Sequence, residues 1–183
     1  MKQPATAAYD VISRFNHWII AFAIIGMLIF GVYIEDFVPR GPEKGALIGI
    51  HKAIGVLILI YGVWRIGWRL VQGFLEPAAP MPPWQDRISK ITHWVLIAGI
   101  LIMPISGMMT SLFGSHDISV FGIFTIPGLT ENRTISDLAG SVHAIAGKVM
   151  IAFVVLHIAG ALKHHLVDKD ATLSRMTSGK ANR

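Results

Sequence analysis

Residues 141–160 read SVHAIAGKVMIAFVVLHIAG, an apolar run interrupted by two histidines and one lysine. Twenty residues of α-helix extend about 30 Å, enough to cross the hydrocarbon core of a bilayer. His143 and His157 are 14 residues apart. At about 100° per residue, 14 steps end about 40° short of four full turns, so both rings face much the same side, about 21 Å apart along the axis. A polar side chain inside a membrane span is expensive and, as a rule, functional. One helix face with imidazoles at two depths would suit a helix that gives one axial ligand to each of two stacked cofactors.

The rest of the composition agrees with a membrane setting. The chain has 183 residues, 53% hydrophobic and only 15% charged, with a mean hydropathy of +0.58. It is too apolar for an ordinary soluble domain and short enough to form one unit. With no cysteine, thiolate-held iron–sulfur clusters, covalently attached c-type haem, blue-copper sites and disulfides are excluded. Eight histidines are the available metal ligands. The net charge of +5 is not read as a nucleic-acid signal, because in a membrane protein the distribution of Lys and Arg outweighs their sum.

Four apolar segments are predicted as spanning helices, at about 15–33, 47–70, 91–113 and 141–162, in one transmembrane domain covering 1–183. A signal peptide is the competing reading of the first; no small-x-small cleavage site follows it, so a retained helix is expected. The second closes on WRIGWR, where Trp64, Arg65, Trp68 and Arg69 suit an interfacial anchor. Pro77, Pro80, Pro82 and Pro83 mark a loop between two helical pairs. Pro104 and Gly107 predict a kink in the third helix. The connection 114–140 begins with an apolar stretch too short to span, expected to lie along the membrane surface as a lid. Residues 163–183 form a polar, basic tail.

Eleven of the sixteen basic residues fall on one side of this arrangement: Lys2, Arg14, Arg65, Arg69, Arg87, Lys90, Lys163, Lys169, Arg175, Lys180 and Arg183. The positive-inside rule then makes both termini and the Pro-rich loop cytoplasmic. Sorted by depth, His51 and His143 form an outer pair, and His17, His157 and candidate His93 an inner set. Paired imidazoles at two levels of a four-helix bundle suit b-type haem. His51 and His143 each precede a glycine by four residues, Gly55 and Gly147. A missing side chain there leaves room for a flat macrocycle; close helix packing is the competing use of such glycines.

NHW in the first helix, IHKAIG in the second, THWVLIAGILIMPISG in the third, and SVHAIAG with VLHIAGALKHH in the fourth resemble the prokaryotic cytochrome b561 family over essentially the whole chain. The resemblance implies an all-α, four-helix inner-membrane protein with two non-covalent haem b groups that exchanges electrons with a quinone such as ubiquinone. It implies ligation of the outer haem by His51 and His143, and of the inner haem by His17 and His157. HHLVDKDATLSRM is similar to the ending of members that oxidise superoxide at the periplasmic side and reduce ubiquinone.

With four ligands assigned, His93 and His164 are candidate contacts for a haem propionate or the quinone. Lys52 and Lys148 are candidates to hold outer haem propionates or to draw in an anion such as superoxide. His116, beside Asp117, reads as a surface residue. A membrane-anchor subunit relaying electrons for a separate dehydrogenase or reductase is the alternative function, and a periplasmic redox protein is the alternative partner to superoxide. A histidine-lined transporter is disfavoured, since no Asp or Glu lies mid-helix.

Overall fold

The computed structural model describes residues 8–73 and 75–180; Lys2 and Arg183, counted in the charge asymmetry, lie outside them. Four long helices dominate: α1 (Val11–Asp36), α2 (Pro42–Gln72), α3 (Pro83–Phe113) and α4 (Arg133–Lys163). A short antiparallel hairpin, β1 (Ile118–Val120) and β2 (Phe124–Ile126), joins α3 to α4. After α4 a π-helical turn, His164–Asp168, leads to a short helix α5 (Thr172–Thr177). Helices α1 to α4 run alternately up and down. Trp68 on α2 meets Ser13 near the start of α1, Lys52 on α2 meets Ser111 near the end of α3, and Ser136 early in α4 meets Thr110 late in α3.

Each helix has a stretch long and apolar enough to cross a membrane, with mean hydropathy 2.0–2.2, yet only 6–28% of those stretches is buried in the protein. Apolar side chains such as Phe22 (67% exposed) and Ile29 (66% exposed) stand on the outside. Lipid is the surrounding that makes such a surface stable, and helices satisfy their own backbone there.

The helices outrun the apolar spans expected at 15–33, 47–70, 91–113 and 141–162, because local signals rather than hydropathy set their ends. Asp10 caps α1, accepting from the Ser13 amide at 2.9 Å and the Ser13 hydroxyl at 2.6 Å. Pro42 and Pro83 lie in the first turns of α2 and α3, where a missing N–H costs nothing. The polar start of α3 carries a Lys90–Asp86 ion pair one turn apart. Asn132 caps α4 through the Ile135 amide at 3.1 Å, so RTISD, expected in the connection, opens the helix.

The connection 114–140 is therefore shorter than expected and folds as the hairpin. Its inner residues Ile118 and Val120 are 1% and 0% exposed and pack on Val56 of α2, with Met108, Leu112 and Ile126 around them. Phe121 and Gly122 turn the chain with φ of 51° and 75°. For a phenylalanine, that left-handed geometry costs on the order of 1–3 kcal/mol.

The polar, basic tail 163–183 packs back on the bundle through part of its described residues. Trp18 Nε1 donates to the Met176 carbonyl at 3.0 Å, and Arg14 to the Thr177 carbonyl at 3.0 Å. Arg175, 4% exposed, donates to the Glu76 carbonyl at 2.9 Å. The C-terminal segment thus ties α1 to the Pro-rich linker.

At the centre of the bundle, Ile20, Ile24, Ile58, Ile100 and Met150 form a buried apolar layer contributed by all four helices. A side chain at Gly62 would strike Ile100 and one at Gly99 would strike Met150, so these glycines let α2, α3 and α4 approach closely.

Candidate histidine sites at two levels

Histidines flank the apolar layer above and below. On the side of the hairpin, the His51 and His143 ring centres are 6.2 Å apart, at 84° to each other. On the side of α5, the His17 and His157 ring centres are 6.1 Å apart at 59°. His93 joins the second group, its ring 5.3 Å from that of His157. Each pair draws on two different helices, α2 with α4 and α1 with α4, so α4 serves both levels.

His143 is held by α3. Its Nδ1 lies 2.8 Å from the Met103 carbonyl oxygen and 3.2 Å from Ser106 Oγ. The Ser106 hydroxyl is itself turned to the Ile102 carbonyl at 2.6 Å, so the imidazole N–H donates and the Met103 carbonyl accepts. That fixes the tautomer with the lone pair on Nε2. Gly107 makes the seat: a Cβ there would lie 3.0 Å from His143 Cε1 and 3.2 Å from Nδ1. Gly107, expected with Pro104 to kink the helix, thus seats the imidazole, and α3 runs through both residues as one helix. A backbone acceptor leaves no mark in a sequence, but the glycine one turn beyond Met103 was a usable signal.

His51 rests against α1, where a Cβ on Gly31 would be 3.4 Å from its Cε1, and beside Phe30, 5.9 Å between ring centres. Its Nδ1 is buried and has no hydrogen-bond partner among the described residues. A Cβ added at Gly55 would meet nothing within 4 Å, whereas one at Gly147 would make ordinary contact with Met103 at 3.6 Å. Of the two glycines expected to leave cofactor space, only Gly55 faces open room.

The other level is more polar. Arg65 stands with Nη2 3.4 Å from His17 Nδ1, which sets a permanent positive charge beside that ring. One turn before it, Tyr61 donates to Asn16 Oδ1 at 2.8 Å, and Asn16 is 1% exposed. Trp68 Nε1 donates to Ser13 at 3.0 Å. Arg65 and Trp68 of the stretch WRIGWR therefore turn toward α1, whereas Trp64, 48% exposed, faces out. The signal was the spacing, since Tyr61, Arg65 and Trp68 share one helix face.

The remaining candidates fall elsewhere. His164 opens the π-helical turn that follows α4. Its Nδ1 is 2.6 Å from Asp170 and 3.3 Å from Asp168. Burial raises the Asp170 carboxyl, but hydrogen bonds from Thr172 and His164 outweigh it and leave the group below its ordinary value. Lys52 Nζ donates to Ser111 Oγ at 2.8 Å and to the Asp117 carbonyl at 3.4 Å. Lys148 and His116 are exposed.

The two facing pairs fit a metal-centred macrocycle. Imidazole–metal bonds of about 2.0–2.1 Å, as histidine makes to zinc, leave two ligating rings about 6 Å apart centre to centre, close to both observed separations. A buried ring nitrogen such as His51 Nδ1 is costly without a bonding partner, by about 1–3 kcal/mol. Imidazoles on apolar walls are the donor set of b-type haem.

Known proteins are similar to this chain over most of its length. The sequence pattern of the family described as prokaryotic cytochrome b561 matches residues 8–179. Cytochrome b561 homolog 2 of Escherichia coli is 33% identical over 178 residues, 92% of this chain and 90% of that protein. A probable superoxide oxidase of Yersinia pestis is 26% identical, covering 90% of this chain and 92% of its own length. A probable Ni/Fe-hydrogenase B-type cytochrome subunit of Rhizobium leguminosarum bv. viciae is 22% identical, covering 98% and 90%.

Proposed function

The chain belongs to the prokaryotic cytochrome b561 family of bacterial membrane proteins that transfer electrons through b-type haem, and on that premise we propose that it carries two haems, each between two histidines. His51 and His143 hold one, and His17 and His157 the other. The observation that carries this reading is the pair of facing imidazoles, 6.2 Å and 6.1 Å apart, on opposite sides of one apolar layer. Residues 1–183 act as a single transmembrane unit, with both termini cytoplasmic by the charge distribution.

Bound haem supplies one-electron chemistry; the protein's residues orient, tune and insulate it. The Met103 carbonyl holds His143 in the tautomer that keeps Nε2 free to ligate. Arg65 places positive charge beside His17, which favours the reduced state at the inner level over the outer. Electrons are thereby drawn from the hairpin side toward the α5 side. The layer of Ile20, Ile24, Ile58, Ile100 and Met150 keeps water out between the two levels.

At the inner end, His93 beside His157 and His164 with Asp170 are the groups for a quinone head or a propionate, and ubiquinone is the acceptor. At the outer end the donor is superoxide, supported by the similarity to the Yersinia protein. Lys52, engaged by Ser111 and Asp117, anchors the hairpin more than it steers anions, and the exposed Lys148 takes that role. The similarity to a hydrogenase cytochrome subunit favours a second reading, a membrane-anchor subunit whose haems relay electrons for a separate dehydrogenase or reductase.

A reduced-minus-oxidised spectrum with haem assay per polypeptide tests the cofactor: two haem b per chain are expected, and none or one overturns the proposal. Rapid mixing with superoxide and then ubiquinone separates the readings. Reduction of the haems by superoxide in the isolated protein supports the oxidase; haems reducible only with a partner protein support the relay.

A further inference from the structure

The hairpin ends on residues unlike those of an ordinary exposed turn. Val120 accepts from the Ile123 amide at 3.0 Å, with Phe121 and Gly122 between them at positive φ. Such positions ordinarily go to Asn, Asp or Gly. Here the tip reads Phe121-Gly122-Ile123-Phe124 and carries no polar side chain. Phe121 is 55% exposed, Ile123 81% and Phe124 44%, although the other face of the same hairpin is fully buried through Ile118 and Val120. A bulky aromatic held in unfavourable backbone geometry and left uncovered by the described residues implies a surrounding that favours it.

The course of the hairpin identifies that surrounding. Asp117, just before β1, meets Lys52 through its carbonyl, and β1 then packs on Val56, four residues further along α2. Four helical residues are about 6 Å of rise, directed from the end of the bundle toward its middle. Beyond Val56, α2 continues with Leu57 (45% exposed) and Ile60 (60% exposed), side chains of the membrane-facing surface. The apolar tip follows the strand that packs on Val56 of this same helix. Ser119 and Thr125 are exposed on the strands, and open strand edges are not tolerated in the hydrocarbon centre.

We propose that the hairpin tip, Phe121 to Phe124, is a wedge seated in the nearer leaflet of the bilayer at the boundary of headgroups and acyl chains, and that its partner is lipid. Insertion of about 5–10 Å is the depth such apolar interfacial elements reach. The wedge also holds β1 on Val56, one turn below Lys52 and His51, so lipid contact bears on the wall of the outer histidine pair.

The chain has no cysteine, so a single nitroxide label reports one position. In the haem-loaded protein in phosphatidylcholine vesicles, labels on Ile123→Cys and, as a second reporter, Phe124→Cys are compared with Thr130→Cys in the polar loop and Ile60→Cys on the α2 surface. Collision with oxygen relative to a water-soluble nickel complex should be several-fold higher at 123 than at 130 and approach that at 60. A ratio at 123 equal to that at 130 would place the tip in water and overturn the proposal. Weak collision with both reagents at 123 would mean a covering protein surface, and overturns it equally. Phe121→Asn, which suits the turn, should leave stability in detergent unchanged or higher while lowering the ratio at 123; an unchanged ratio would remove Phe121 from the wedge.

Discussion

His143 Nδ1 donates to the Met103 carbonyl oxygen across the α3–α4 interface at 2.8 Å, and Gly107 leaves the space in which the ring lies. A branched side chain at 107 cannot share that space, because even its Cβ would stand 3.0 Å from the imidazole. Gly107→Val should lower haem content from two toward one per chain. Gly26→Ala, where nothing lies within 4 Å of the added Cβ, should keep both. Haem assay on purified protein checks the pair.

Arg65 beside His17 implies an electrostatic difference between the two levels. Arg65→Met should lower the midpoint potential of the inner haem by an amount on the order of tens of millivolts. The outer haem, on the far side of the apolar layer, should move much less. Redox titration followed by the visible bands measures both, and equal shifts would deny the residue a local role.

His93 is the nearest competitor for the inner site, since its ring is closer to His157 than that of His17. With His17 as ligand, His93→Ala should retain two haems and weaken quinone reduction. Loss of a haem in His93→Ala with retention in His17→Ala would exchange the two roles.

The C-terminal segment should loosen in acid. Asp170 has a carboxyl held below its ordinary value in the folded protein, so its contribution is fully present above the unfolded value of about 3.9. It is lost as pH falls from there through the lower folded value. Hydrogen exchange across 172–178, corrected for intrinsic rates, should rise over that range. Asp170→Asn should show faster exchange already at neutral pH.

The spanning helices were legible because apolar runs in a chain with 15% charge admit little else, and the histidine levels followed from helical rise and the alternation of direction. The helix extensions were not, because hydropathy is silent outside the membrane. Asn132 and Pro83 were nonetheless readable as start signals. The hairpin was hidden by Phe121, which is no turn residue. Arg65 turns inward where a surface anchor was expected, because one sequence pattern serves both an interface and an inward face.

The most direct test of two-level ligation is haem content and reduced-minus-oxidised spectrum in four single variants. His51→Ala and His143→Ala should each lose the same haem and keep one spectrum, while His17→Ala and His157→Ala should each lose the other and keep the complementary spectrum. Loss of the same haem from His17→Ala and His51→Ala, or retention of both haems in any of the four, would contradict it.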